Sequence, residues 1–367
     1  MEIRAWRHFD VLMLLATLAL GAYGMAMIYS ATLDVTSGGL GSLVVRQGIY
    51  LGAGFGLLLV LASTDYRWIG SLSRLFYGGC IFLLVVVRIV GQQMYGSIRS
   101  IDLGIVDLQP SEPMKLALSI FLASYLAMHS ESIRSARVFY SSFLFAAVPI
   151  GLTLIQPDLG TSLVLLAIWA GIAFVAGGRA IHFASLIAAG AAVSPLVWRF
   201  MPDYQRQRIE VFVQGPDKYM MGEGYNVWQA LISVGSGGLT GRGYLSGTQS
   251  QLHFLLVRYA DFIFAVVGEE LGFIGSVALL GLLVFLLMRG LRAASIARDD
   301  FGRLLCVGIV SGIAFQSIVN IAVNLNLSPV TGIPLPLISY GGSSAMTVLA
   351  SVGILQSVAM RHKRFEL

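Results

Sequence analysis

Charged side chains are scarce in this sequence. Asp, Glu, Lys and Arg make up 12% of its 367 residues, about half the share of a soluble domain. Cysteine is nearly absent: Cys80 and Cys306 both lie in apolar runs, form no motif, and read as buried packing residues that leave the redox compartment open. The histidines His8, His129, His182, His253 and His362 are scattered, so no zinc-like His or Cys spacing exists. The sequence lacks a P-loop and a dinucleotide fingerprint, which argues against an ATP-driven pump and a redox enzyme. It also lacks a basic stripe with interleaved aromatics, so nucleic acid is not an expected partner. The first apolar run follows Arg4, Arg7 and His8, is too long for a signal peptide, and has no small-residue cleavage site. It reads as an uncleaved first span.

What the chain does have is hydrophobic length, with 56% of residues hydrophobic. A spanning helix needs roughly 20 mostly apolar residues to cross a hydrocarbon core about 30 Å thick. Suitable runs recur at 9–31, 49–63, 139–155, 161–177, 273–288 and 346–360. About ten segments are expected in all, some shorter than that rule because neighbours shelter their ends. The expected fold is all-α: one polytopic membrane domain over residues 1–367, with a large extracytoplasmic loop at 202–260. The formal net charge of +5 reflects topology, because Lys and Arg collect in cytoplasmic loops. With the N-terminus inside, Arg67, Arg74, Arg134, Arg137, Arg179, Arg289, Arg292 and Arg361 all fall inside. An even span count then puts both termini in the cytoplasm.

Two further outer stretches stand out beside residues 91–109, which are moderately polar. The 202–260 loop is long, yet it carries Phe212, Tyr225, Trp228, Leu231 and Ile232, so short amphipathic helices on the outer surface are expected. Its glycine-rich run at 234–243 either lets backbone approach something closely or makes a tight loop between two such helices. Residues 327–344 contain three prolines, which break helix, but are too apolar for an exposed loop. Irregular backbone survives at membrane depth only when protein buries it or it lines a wet cavity, so a re-entrant segment is expected.

Polar residues in or beside spans need a reason. Glu112 and Lys115 share one helix face and can pair, either to lock packing or to serve function. Asp261 sits where the 202–260 loop enters a span; it is a helix cap or a general base. Glu269 and Glu270 lie roughly 12–14 Å deeper at 1.5 Å rise per residue, a depth that favours hydrogen-bonded packing anchors over a catalytic role. Asp158 stands at another outer span boundary, where it completes a carboxylate–arginine network or caps its helix, and the cap is the favoured reading. Arg206, Arg208, Lys218, Arg242, Arg258 and, in the earlier loop, Arg99 lie outside, against the usual charge bias. The paired donors of the arginines suit a lipid pyrophosphate or ordinary anionic head groups.

Taken in order, Gln109-Pro-Ser-Glu112 with Lys115, Gln156-Pro-Asp-Leu-Gly-Thr-Ser162, Gly224-Tyr-Asn226, Gly247-Thr-Gln249, Asp261-Phe-Ile-Phe-Ala265, Gly268-Glu-Glu-Leu-Gly272 and the run Gly332 to Ser344 resemble the SEDS family of shape, elongation, division and sporulation proteins. The resemblance covers nearly the whole chain, and the compact length is more similar to the RodA-like elongation branch than to the division branch. Leu256-Val-Arg-Tyr-Ala260 departs from the family's usual approach to the aspartate.

The resemblance implies a ten-span peptidoglycan glycosyltransferase of the bacterial cytoplasmic membrane. It implies that lipid II is polymerised on the outer face beside a class B penicillin-binding protein. It makes Asp261 the catalytic base. Arg206 and Arg208, with Arg242 beside them, are the candidates for answering the charge of the undecaprenyl pyrophosphate leaving group. A divalent cation, Mg or Mn, would assist there, but no ligand set is legible. The rival reading is a lipid II flippase, which Glu269 and Glu270 keep open by their depth.

Overall fold

The computed structural model describes residues 5–33, 43–90, 92–94, 97–102, 107–219, 222 and 224–362, and for residues 90–108 it describes backbone only. The chain runs α1 (Val11–Ala31), α2 (Leu43–Ser63), α3 (Tyr66–Ser71), α4 (Ser73–Val90), α5 (Ser111–Met128), α6 (Ala136–Ile155), α7 (Leu159–Val175) and α8 (Ala180–Phe200). After α8 come α9 (Asp203–Gln214), α10 (Tyr225–Ser236), α11 (Thr248–Gln251), α12 (Ile263–Ser295), α13 (Asp300–Asn324) and α14 (Gly342–Met360). Among the described residues, seven helices, α1, α2, α6, α8, α12, α13 and α14, are long and apolar enough to cross a membrane. The regular structure between α4 and α5 is a small antiparallel sheet, β1 (Gln92–Met94), β2 (Ser97–Asp102) and β3 (Asp107–Leu108), in that order.

Burial sorts the helices. Residues 344–360 of α14 are buried except Met346 and Thr347, and α5 and α13 are mostly buried. These three form the centre. Exposed apolar residues such as Val11 and Leu15 on α1 and Ile187 and Phe200 on α8 face outward, as they do when lipid is the solvent. α8 is extreme, with no buried residue along its length. At the centre α2 and α14 approach through small residues: the Leu58 backbone leaves no room for a methyl at Gly353.

Helix starts follow capping chemistry. Asp10 accepts from Met13 N at 3.0 Å and Asp299 from Gly302 N at 2.8 Å. Proline inside α6 is met differently. Pro149 has no N–H, so the carbonyl of Phe145, four residues earlier, loses its helical donor. Tyr77 Oη donates to that carbonyl from α4 at 2.6 Å. Tyr77→Phe is therefore expected to cost about 1–3 kcal/mol, the penalty of a buried polar group left unpaired. Adding Pro149→Ala restores the helical donor and should recover most of the loss. Unfolding midpoints in detergent check this, and an unchanged midpoint for Tyr77→Phe alone refutes it.

The two long connections are built, not loose. The 202–260 connection carries α9, α10 and α11, and residues 331 and 335–339 of the connection before α14 are irregular in backbone but largely buried.

Candidate active site

The site forms at the end of the bundle opposite the termini, where α12 breaks. Gly272 takes φ 65° and ψ −160°, splitting α12 into a short first section and a long second one. A break frees backbone donors and acceptors that lipid cannot satisfy. The glycine-rich run supplies them. Arg242 N and Gly243 N donate to Glu269 O and Glu270 O, each at 3.0 Å, while Phe273 N and Ile274 N donate to Gly238 O and Leu239 O at 2.9 and 3.1 Å. A methyl group at Gly237 or Gly241 would collide with the carbonyls of Gly268 and Glu270. The close backbone approach left open by the sequence is thus made, and its partner is the broken helix.

Glu269 and Glu270 are fully buried at this break. Glu269 accepts from Gln249 N at 2.8 Å, Ser250 N at 3.3 Å and Thr248 Oγ1 at 3.2 Å, fastening the start of α11. Glu270 accepts from Ser30 Oγ at 2.5 Å and Leu245 N at 3.3 Å. Arg242 braces the same corner, donating from Nη1 to Thr248 Oγ1 at 2.8 Å.

Asp261 is held from the other side. Three successive carbonyls leading into α12 are each bonded from outside. Tyr340 N donates to Tyr259 O at 2.9 Å, and Ser339 Oγ donates to Ala260 O at 2.6 Å. Asn320 Nδ2 and Asn324 Nδ2 both donate to Asp261 O at 3.0 Å. The N-cap position of α12 belongs to Phe262, one residue later, and makes no side-chain cap bond. The amide that an N-cap side chain would take, Ala265 N, donates instead to Asn324 Oδ1 at 3.0 Å. Asp261 itself is half-buried.

A buried polar row on α13 joins this start to the middle of the bundle. Gln316, Asn320 and Asn324 recur every four residues and share one face. Gln316 accepts from Lys115 Nζ at 2.9 Å and donates from Nε2 to Pro334 O at 2.8 Å. Lys115 Nζ lies 2.8 Å from Glu112 Oε2. Asn320 Nδ2 also donates to Ile333 O at 2.8 Å. Sequence reasoning passed over these three carboxamides. The available signal was amide side chains at helical spacing inside an otherwise apolar span, costly in lipid unless they bond something.

The remaining expected site residues are dispersed. Asp158 caps α7, accepting from Thr161 N at 3.0 Å and Thr161 Oγ1 at 2.9 Å. Gln109 Nε2 lies 3.4 Å from its second oxygen. Arg208 approaches the segment before α14, with Nη1 3.5 Å from Val330 O, and its guanidinium sits 5.6 Å from the Tyr204 ring centre. Its Nε is buried and has no hydrogen-bond partner among the described residues. Arg206 turns away onto the end of α8, donating to Trp198 O at 2.9 Å and Arg199 O at 2.5 Å. Arg206, Arg208 and Arg242 therefore each have separate partners. The side chain of Arg99 lies outside the described residues. Among the described residues, no three His, Cys, Asp or Glu side chains gather where they could hold a metal ion.

The model of the FtsW/RodA/SpoVE cell cycle protein family matches residues 10–364. The chain belongs to that family. Within it, the chain is 38% identical to the peptidoglycan glycosyltransferase MrdB of Escherichia coli K12, over 97% of this chain and 95% of that one. It is 37% identical to the stage V sporulation protein E of Bacillus subtilis, over 97% of this chain and 98% of that one. Among solved structures, a chain of a peptidoglycan synthase complex that coordinates polymerisation and crosslinking matches at a TM-score of 0.82 and 31% identity, covering 96% of this chain and 98% of the other. The rod-shape-determining protein RodA of Thermus thermophilus matches at 0.71 and 30%, over 97% and 98%. A FtsW/RodA/SpoVE protein with these helices is an integral membrane protein, and this one is RodA-like.

Proposed function

We propose that this protein is a peptidoglycan glycosyltransferase that polymerises lipid II during cell elongation, with Asp261 as its general base. The supporting observation is the three-carbonyl clamp at residues 259–261, which fixes the backbone of a half-buried carboxylate at one mouth of the bundle. Such fixed placement is what base catalysis requires. The 38% identical MrdB relative carries the same activity in its name.

In this reading α4, α5 and α7 join the seven longer helices to make ten spans of the cytoplasmic membrane. The termini are cytoplasmic and the mouth with Asp261 is extracytoplasmic. The Asp261 carboxylate takes the proton from the 4-hydroxyl of the acceptor GlcNAc. That oxygen attacks C1 of the donor MurNAc, the C1–oxygen bond to phosphate breaks, and undecaprenyl pyrophosphate leaves with the bonding electrons. A single displacement inverts the α-linked donor to a β-1,4 product, with the base opposite the leaving group. Of Arg206, Arg208 and Arg242, Arg208 is the best placed to meet phosphate, because its buried Nε has no partner among the described residues and guanidinium donors match phosphate oxygens. Arg206, Arg242 and Arg99 are second candidates. A class B penicillin-binding protein crosslinks the product.

The flippase alternative drew on Glu269 and Glu270. Both carboxylates are occupied in fastening the 242–251 stretch, which counts against their serving as a translocation path. The test uses wild-type protein with its penicillin-binding protein, once in detergent and once in proteoliposomes. Polymer from lipid II in detergent, where nothing needs to cross a bilayer, supports the enzyme. Lipid II crossing the proteoliposome bilayer with no polymer in detergent would replace it with the flippase.

Asn324 has a positioning role in this account. Asn324→Leu removes one bond to Asp261 O and the bond to Ala265 N, while Asn320 still holds that carbonyl. The expected result is a fall in kcat of about a hundredfold, the scale of a 1 Å misplacement, at nearly constant KM. Asn324→Gln should recover part of it. A rise in KM with kcat unchanged would assign Asn324 to substrate binding instead.

A further inference from the structure

The end of the bundle that carries the start of α1 and the end of α14 holds a cavity with polar lining, far from Asp261. It has a volume of about 410 Å³ and lies between the start of α1, the end of α12 and the end of α14. One wall is rigid. Gln356 bonds the backbone of Asp10 twice, accepting from its N–H at 3.0 Å and donating to its carbonyl at 2.7 Å. The Asp10 carboxylate is fully engaged as well, capping Met13 N at 3.0 Å and receiving Arg289 Nε and Nη2 at 2.9 and 2.5 Å. The acid in the cavity is thus balanced by Arg289, and the remaining charge is positive.

That charge belongs to Arg292, one turn beyond Arg289 on α12. It is exposed, and its guanidinium has no partner among the described residues. His8 and His362 also line the cavity, their rings edge to face at 4.9 Å. His362 Nδ1 donates to Ala359 O at 2.8 Å, which holds that ring in place. The other lining is apolar, from Val11, Leu12, Ala293 and Ile296.

Depth decides what kind of anion fits. Trp6 stacks on Phe9 with ring centres 5.5 Å apart just before α1. Aromatic residues of this kind sit at the membrane–water boundary. Val11 and Leu12, 56% and 49% exposed, then begin the lipid-facing surface of α1. The cavity is therefore at head-group depth, with an apolar path leading from it into the bilayer. Basic pockets between spans at this depth suit anionic head groups. We propose that this cavity binds the phosphate of an anionic phospholipid, recognised by Arg292, with the His8 and His362 rings lining the same cavity and an acyl chain lying along Val11 and Leu12. This site is independent of the catalytic reading.

Native mass spectrometry of the full chain in detergent tests it, with phosphatidylglycerol, phosphatidylcholine of the same chains and inorganic phosphate as probes. One phosphatidylglycerol should be retained in preference to phosphatidylcholine and resist displacement by inorganic phosphate. Arg292→Gln should weaken that retention about tenfold, the loss of one charge-assisted contact. Arg292→Lys should keep most of it. Arg298→Gln, an exposed arginine at the same end that does not line the cavity, should leave it unchanged. Equal retention of both lipids, no effect of Arg292→Gln, or an equal loss in Arg298→Gln would overturn the proposal. Displacement by inorganic phosphate as effectively as by phosphatidylglycerol would also overturn it, by making this a site for a free anion.

Discussion

Replacing Lys115 by methionine is expected to destabilise the protein by about 3–5 kcal/mol, the cost of breaking a buried ion pair from one side. Lys115 is 7% exposed and Glu112 is 2% exposed. The ammonium is shared between Glu112 Oε2 at 2.8 Å and Gln316 Oε1 at 2.9 Å. Methionine matches the length of the side chain but leaves the carboxylate without its counter-charge in a medium that cannot solvate it. The carboxylate left unpaired in the bundle interior lowers stability. Adding Glu112→Gln removes the charge, so the double variant should recover most of the loss. Unfolding midpoints in detergent for the two singles and the double measure this. A double variant as unstable as Lys115→Met alone would show that packing around the pair matters more than charge balance. The same cycle run on activity addresses the choice left open by the sequence. Recovery of stability without recovery of turnover would point to a functional pair, because Gln316 joins Lys115 to the Pro334 carbonyl beside the Asp261 clamp.

What the sequence revealed depended on the kind of signal. Apolar length is additive along the chain, so the membrane class and most spans were readable without any contact. Capping is local too, and Asp158 was readable as a cap from its place before α7. Glu269 and Glu270 were readable as anchored, since two adjacent buried carboxylates must bond something, but their partners were not. Those partners lie in a stretch some 20 residues earlier that folds back into a helix break. Nothing in Gly268-Glu-Glu-Leu-Gly272 alone says that the helix opens there. The α13 amides were missed for a related reason. Their partners are backbone carbonyls of distant segments, and any residue type supplies a carbonyl, so no pattern in the sequence marks the pairing. The arginine pairings were not legible either: Arg206, Arg208 and Arg242 have separate partners that are backbone or hydroxyl oxygens, which no charge pattern marks, and Arg208 Nε is left without one among the described residues.

Asp261→Asn is expected to lower glycan polymerisation by about 10²–10⁴-fold, the usual contribution of a positioned general base. The substitution keeps shape and polarity, and the clamp acts on backbone carbonyls, so the fold should be unaffected. Asp261→Glu keeps a base but displaces it by one carbon–carbon bond, and should fall between wild type and Asp261→Asn. Were Asp261 a structural cap, asparagine would serve nearly as well as aspartate, and activity would barely change. The decisive measurement is polymer formed from purified lipid II in detergent by wild type and Asp261→Asn, each complexed with the same penicillin-binding protein at matched yield. The account predicts long glycan from wild type and essentially none from the folded, complex-forming variant. Glycan from Asp261→Asn at a rate within a few-fold of wild type would contradict it.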